Sequence, residues 1–269
     1  MIPHGARRAM HRINEQAMNE NEQADTSETH NSNLETPECL PSAWDVLRVR
    51  GLFQWKLGVP VEIIDEIIDE AEYWPSSTST MTQPEKGHRI IRKDRDQVLL
   101  KTVPLCYDRK IVFRLSSNDQ GAGHVRENMY EHSWTWFDAV VIHGAHARKM
   151  YIDGEEQELL DNEKGETAIS HEPDDPLLLP RADKIRVNGA RVGMVQDIEL
   201  IWHYRDNIQP DSPAAYDIEK TTGRGRATLD GRFVRELQVG DSIAVWARAR
   251  FPGWANHVHR ASVTVYWAV

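Results

Sequence analysis

Cysteine is almost missing from this chain: Cys39 and Cys106 are the only two in 269 residues. Cys39 lies in a segment with little apolar character, so no disulfide framework is expected and a reducing compartment is. Long hydrophobic runs are missing too. No stretch approaches the roughly 18 apolar residues of a membrane span, and no signal-peptide core follows Met1. Three Arg and no acid precede Glu15, but acids then follow at once, and targeting is not expected. Positive charge is in deficit, with 32 Lys and Arg against 42 Asp and Glu, a formal charge of −10. That balance disfavours nucleic acid and anionic membrane as general partners. The expected location is cytoplasmic or nuclear.

Recognisable chemistry is scarce as well. There is no Gly-x-Ser-x-Gly elbow and no Cys in an activating context. His143-x-x-His146 has a metal-like spacing, but a strand points positions i and i+3 to opposite faces and no supporting ligand stands nearby. Gly223 and Gly225 in "TGRGRATLDGRF" suggest a phosphate loop without its strand, its Lys or its helix, and read better as a turn. No cofactor, metal or catalytic group is expected, although an all-β enzyme assembled from scattered residues stays open.

Three regions can be distinguished along the chain. Residues 1–40 hold seven acids, three Arg and many small polar residues, too little apolar surface to offset ordering entropy, and are expected to be a disordered tail. Residues 41–86 carry a helical segment. In "LGVPVEIIDEIIDEAEYW", Val61, Ile64, Ile67, Ile68 and Ala71 recur at three- and four-residue spacing, Ile63 widens the stripe, and acids fill the opposite face. Pro75 and "SSTST" end it. Residues 87–269 change to period two: "KIVFRL", "FDAVVIH", "DKIRVNG", "QDIELIWHY", "DSIAVWARAR" and "ASVTVYWAV" read as strands of an antiparallel β-sandwich. Ile198, Leu200, Trp202 and Tyr204 share one inward face, as do Val263, Val265, Trp267 and Val269. Two polar inserts, around Asp153-Gly154 and in "RDNIQPDSPAAYDIEKTTGRG", read as surface connections.

Aromatic clusters supply the candidate binding residues. Trp134 and Trp136 share a strand face opposite Phe137, and are either core fillers or a stacking platform. Val245, Ala247 and Ala249 should line the interior, with Trp246 beneath the stems of Arg248 and Arg250 on the other side. Trp254, Asn256 and His257 combine an aromatic plane, an amide and an imidazole after Gly253, suited either to a neutral polar ligand or to local stitching.

"LGVPVEIIDEIIDEAEYWP" resembles the first helix of F-box-like segments in fungal proteins, although the rest of an F-box does not follow Trp74. The resemblance implies docking of that helix on the Skp1-type adaptor subunit of cullin ubiquitin ligases. The stretch from "RDQVLLKTVPLCYDRKIVFRL" to the end is similar to the C-terminal module of uncharacterised fungal proteins that carry such a helix. "GDSIAVW" to "GWANHVHRASVTVYW" is similar in layout to the F-box-associated sandwich of sugar-recognising F-box proteins, which implies a galactose-binding-like jelly roll with a recognition surface for a protein or glycan client. The competing expectations are packing of the helix on the sandwich and a carbohydrate- or small-ligand-binding module without a ligase role.

Overall fold

The computed structural model describes residues 40–82, 87–92, 95–121, 128–143, 150–152, 155–157, 166–168, 180–190 and 192–269. The expected tail falls outside these, as do most of the first acidic insert, His124 and His146. Leu40–Val269 forms one compact unit.

Two helices come first. Helix α1 (Ala43–Leu57) opens with a capping box, in which the Ser42 hydroxyl accepts the Asp45 amide at 3.2 Å while the Asp45 carboxylate accepts the Ser42 amide at 3.0 Å. The Ser42 hydroxyl, which donates to the Asp45 carboxylate at 2.7 Å, and the Ser42 amide hold that carboxyl below its ordinary value. Gly58 ends the helix in the left-handed conformation, with φ 64°. Helix α2 (Val61–Glu70) follows after Pro60. Sequence periodicity marks α2 but not α1, whose apolar residues are interrupted by Arg48, Arg50 and Gly51 and make no single stripe.

The strands are β1 (Ser76–Thr80), β2 (Arg89–Arg92), β3 (Arg95–Lys101), β4 (Tyr107–Asn118), β5 (Thr135–Ile142), β6 (Met150–Ile152), β7 (Glu155–Gln157), β8 (Glu166–Ala168), β9 (Arg186–Val187), β10 (Gln196–His203), β11 (Ser242–Ala249) and β12 (Ala255–Ala268). One antiparallel sheet has the order β1-β12-β4-β10, with β2 also pairing β12; the other has the order β8-β3-β11-β5-β9. Strands β6 and β7 pair with each other, and the expected Asp153-Gly154 turn lies outside the described residues. Ser76–Thr80, assigned above to the helical region, is thus an edge strand paired with Ser262–Tyr266. The second polar insert also holds more than a loop. Helix α3 (Pro213–Thr222) sits there, capped by the Ser212 hydroxyl, with Pro213 in its first turn and Gly223 at φ 74° beyond its end.

The two five-stranded sheets share one apolar core. Ile111, Phe113, Leu115, Val263 and Val265 come from the first sheet, and Leu99, Phe137, Ile243, Val245 and Ala247 from the second. The expected inward faces of β10 and β11 hold: Leu200 and Trp202 are buried, and Val245, Ala247 and Ala249 are closed to solvent. In β12 the inward face ends at Val265, because a register shift between Tyr266 and Trp267 rotates the last residues and leaves Val269 exposed.

Candidate functional site

The helical pair sits on the outer face of the first sheet, and this placement divides the α2 stripe. Ile64 and Ile68 are buried in a second core with Val46, Trp74, Val112 and Tyr266. Each such side chain contributes about 1.5–3 kcal/mol of apolar burial. Val61, Ile63, Ile67 and Ala71 remain exposed. The face read from sequence as acidic, opposite the stripe, is largely clamped by cations. Asp69 meets Arg109 at 3.3 Å, Glu70 meets Arg205 at 2.8 Å, and Glu72 pairs with Lys110. Asp65 meets Arg50 of α1 at 2.9 Å, and Arg50 also reaches the Val269 carbonyl. Asp69 further accepts the Trp74 indole N–H at 2.9 Å. Exposed ion pairs add little stability individually, but several together fix the orientation of the pair.

Apolar surface therefore remains on the side of the helices away from the sheet. Trp44 is 73% exposed and Trp55 83%, with Leu47, Leu52 and Leu57 also open on α1 and its end. Trp44, Leu47, Gly51 and Trp55 fall within one arc of α1 by their spacing, and Val61, Ile63 and Ile67 are open on α2. The α1 part of this surface escapes sequence periodicity. The available signals were the Ser42-x-x-Asp45 box and Gly58-x-Pro60, which together delimit a helix.

At the β11–β12 turn the predicted ligand residues separate. Asn256 is fully buried, and its amide donates to the carbonyls of Trp136 at 3.2 Å and Arg248 at 3.3 Å while its oxygen accepts from Asn188 at 2.9 Å. Asn188 in turn accepts from Ser117 at 2.8 Å and donates to Thr135 at 3.2 Å. This network ties β4 and β12 to β5 and β11 between the sheets, so Asn256 is the stitching residue, closed to an outside ligand. Trp136 is likewise fully buried. Trp134 and Trp254 are half-buried, and Trp134 meets Phe251 edge-on with ring centroids 4.9 Å apart. Phe251 is half-exposed and left-handed at φ 66°, an uncommon state for a bulky side chain. His257 lies beside His88, ring nitrogens 3.2 Å apart, and His88 stacks on His259 at 4.8 Å. Burial, followed by the neighbouring His88, holds the His257 and His259 imidazoles below their ordinary value. The His88 contact was not legible, because β2 is joined to β12 only through tertiary pairing.

Arg248 and Arg250 were expected to cover a sheet face with Trp246 beneath their stems. Arg248 does lie over Trp246, 5.1 Å from its ring centre, while Arg250 lies over Trp136 at 5.2 Å. Both guanidiniums are buried around Asp96, which is 0% exposed: Arg250 reaches its two oxygens at 2.8 Å each, and Arg248 reaches it at 2.5 Å. Asp138 completes the group, pairing with Arg248 and accepting the Trp136 indole N–H at 3.0 Å. Burial raises the Asp138 carboxyl above its ordinary value, against the pull of Arg248.

Among the described residues no group of three or more His, Cys, Asp or Glu is arranged to hold a metal ion, and no helix is long and apolar enough to cross a membrane. Comparison of the chain with protein-family models, curated proteins and solved structures returns no match.

Proposed function

We propose that this protein is a non-enzymatic adaptor: the outer face of its helical pair docks the adaptor subunit of a cullin ubiquitin ligase, and the loops of its two-sheet body recruit a protein or glycan client. The body, in this reading, is a galactose-binding-like jelly roll. The observation that carries the reading is the exposure of Trp44 and Trp55 on α1 and of Ile63 and Ile67 on α2, helices whose other side is already occupied. Exposed indoles and aliphatic side chains gathered on a short helical pair are characteristic of protein–protein contact. The F-box resemblance names the partner. Burial changes the contact set: Ile64 and Ile68 belong to the fold, and Val61, Ile63, Ile67 and Ala71 remain for docking together with α1.

Titrating the full chain with the purified ligase adaptor subunit tests this. Wild type should bind, and Trp55→Ala or Ile67→Glu should weaken binding by about tenfold or more without lowering the melting temperature. No binding by wild type, or binding indifferent to both changes, removes the reading.

A second reading, a carbohydrate- or small-ligand-binding module, is favoured by the half-buried Trp134 and Trp254 around the left-handed, half-exposed Phe251. Indole planes held at a turn offer stacking surface to a sugar. A glycan array on which Trp134→Ala and Trp254→Ala abolish wild-type signal supports it, and a blank wild-type array eliminates it.

A further inference from the structure

Arg186 lies on the edge strand β9 and is only 5% exposed. Its Nε donates to the Thr222 carbonyl at 2.8 Å, at the C-terminal end of α3, and one Nη donates to the Tyr130 hydroxyl at 2.6 Å. The other Nη is buried and has no hydrogen-bond partner. Among the described residues no carboxylate lies within ion-pair distance of it, and burial lowers the guanidinium from its ordinary value. The C-terminal end of α3 supplies about half a negative charge, which leaves a buried cation incompletely neutralised.

Tyr130 adds a second unused donor. Its oxygen accepts from Arg186, so its own O–H proton is available to an acceptor. The ring is held in place by Gly223, where a Cβ would approach Tyr130 Cδ1 to 2.7 Å and Val187 Cγ2 to 3.0 Å. Tyr130 is half-buried. The other cations of these segments are paired: Lys184 and Arg226 share Glu219, Arg224 meets Asp206 at 3.4 Å, and Arg181 pairs with Asp183.

We propose that Arg186 and Tyr130 form a binding site for one oxyanion group, a carboxylate or a phosphate borne by a small ligand. Only an acceptor carrying negative charge completes both unused donors and neutralises the guanidinium; water would satisfy the hydrogen bonds and leave the charge. The inference is independent of the adaptor reading, since it involves neither the helical pair nor the β11–β12 turn.

The test is thermal unfolding of the full chain in sodium phosphate, sodium acetate and sodium chloride at equal ionic strength. The melting temperature should rise saturably with phosphate or with acetate relative to chloride, and whichever acts at lower concentration identifies the group. Arg186→Met removes the unpaired charge, so it should fold with an undiminished melting temperature in chloride and lose the anion response. Tyr130→Phe should keep the fold and require about tenfold more anion for the same shift, the equivalent of one hydrogen bond to a charged group. A wild-type melting temperature identical in all three salts overturns the proposal whatever the variants do. A response that survives Arg186→Met shows an adventitious ion only and also overturns it.

Discussion

The outer faces of the two sheets are covered in opposite ways. On the first sheet, Val112 and Tyr266 are covered by Ile64, Ile68, Val46 and Trp74, apolar against apolar, with ion pairs at the margin. On the second, the corresponding face carries Asp96, Asp138, Arg248 and Arg250 against Trp136 and Trp246, a neutral group of four charges withdrawn from solvent. The contrast shows that period-two patterning identifies the side of a strand that faces the shared core and is silent about the other side. What covers an outer face is decided by partners far along the chain. Asp96 lies 152 residues before Arg248, and Asn188 lies 68 residues before Asn256.

The largest expected effect breaks the charged face. Asp96→Asn leaves two buried guanidiniums with Asp138 as their remaining described carboxylate, and should destabilise the chain by about 3–5 kcal/mol in denaturant titration. The apolar face should follow closely: Ile64→Ala should cost about 3 kcal/mol, and Ile67→Ala, three residues further on the same helix, within about 0.5 kcal/mol. Equal costs would mean that the two sides of α2 are not distinct.

A third change should act in the opposite direction. Asp108 is buried, neither of its oxygens finds a side-chain partner, and burial together with Asp241 pushes its carboxyl up from 3.8 to about 7. Its folded value exceeds its unfolded one, so the unfolded chain binds fewer protons across that interval and stability falls as pH rises through it. Asp108→Asn should stabilise the protein by roughly 2 kcal/mol above neutral pH, less than the full linkage because the new amide is itself unpaired, and not at pH 4. The smallest effect belongs to the histidines. His257 and His259 are depressed below 6.5, so their contribution is complete above that value and is lost as pH falls through and below it. His88→Gln should flatten the acid limb of a stability–pH curve below pH 6.5, and an unchanged limb would remove the cluster from the account.

Much of the architecture was legible in the sequence: α2, the inner faces of β10 and β11, and Arg248 stacked on Trp246. Helix α3 was legible in principle, since Ser212, Pro213 and Gly223 mark its ends, but its polar composition resembles a loop. The site was less legible. Val61, Ile64, Ile67, Ile68 and Ala71 form one stripe by spacing, and only the sheet beneath divides them. Trp254, Asn256 and His257 are close in sequence, yet alternation along β12 sends Asn256 into a polar network and leaves His257 beside His88.

The central claim is that the helical pair has one structural side and one free side. Hydroxyl-radical footprinting of the full chain, read by mass spectrometry at each indole, tests it most directly. Trp44 and Trp55 should label rapidly and Trp74 should be protected, in keeping with their exposure of 73%, 83% and 1%. Protection of Trp44 and Trp55 in the isolated protein would mean that the chain or a second copy already covers that face, and would contradict the account.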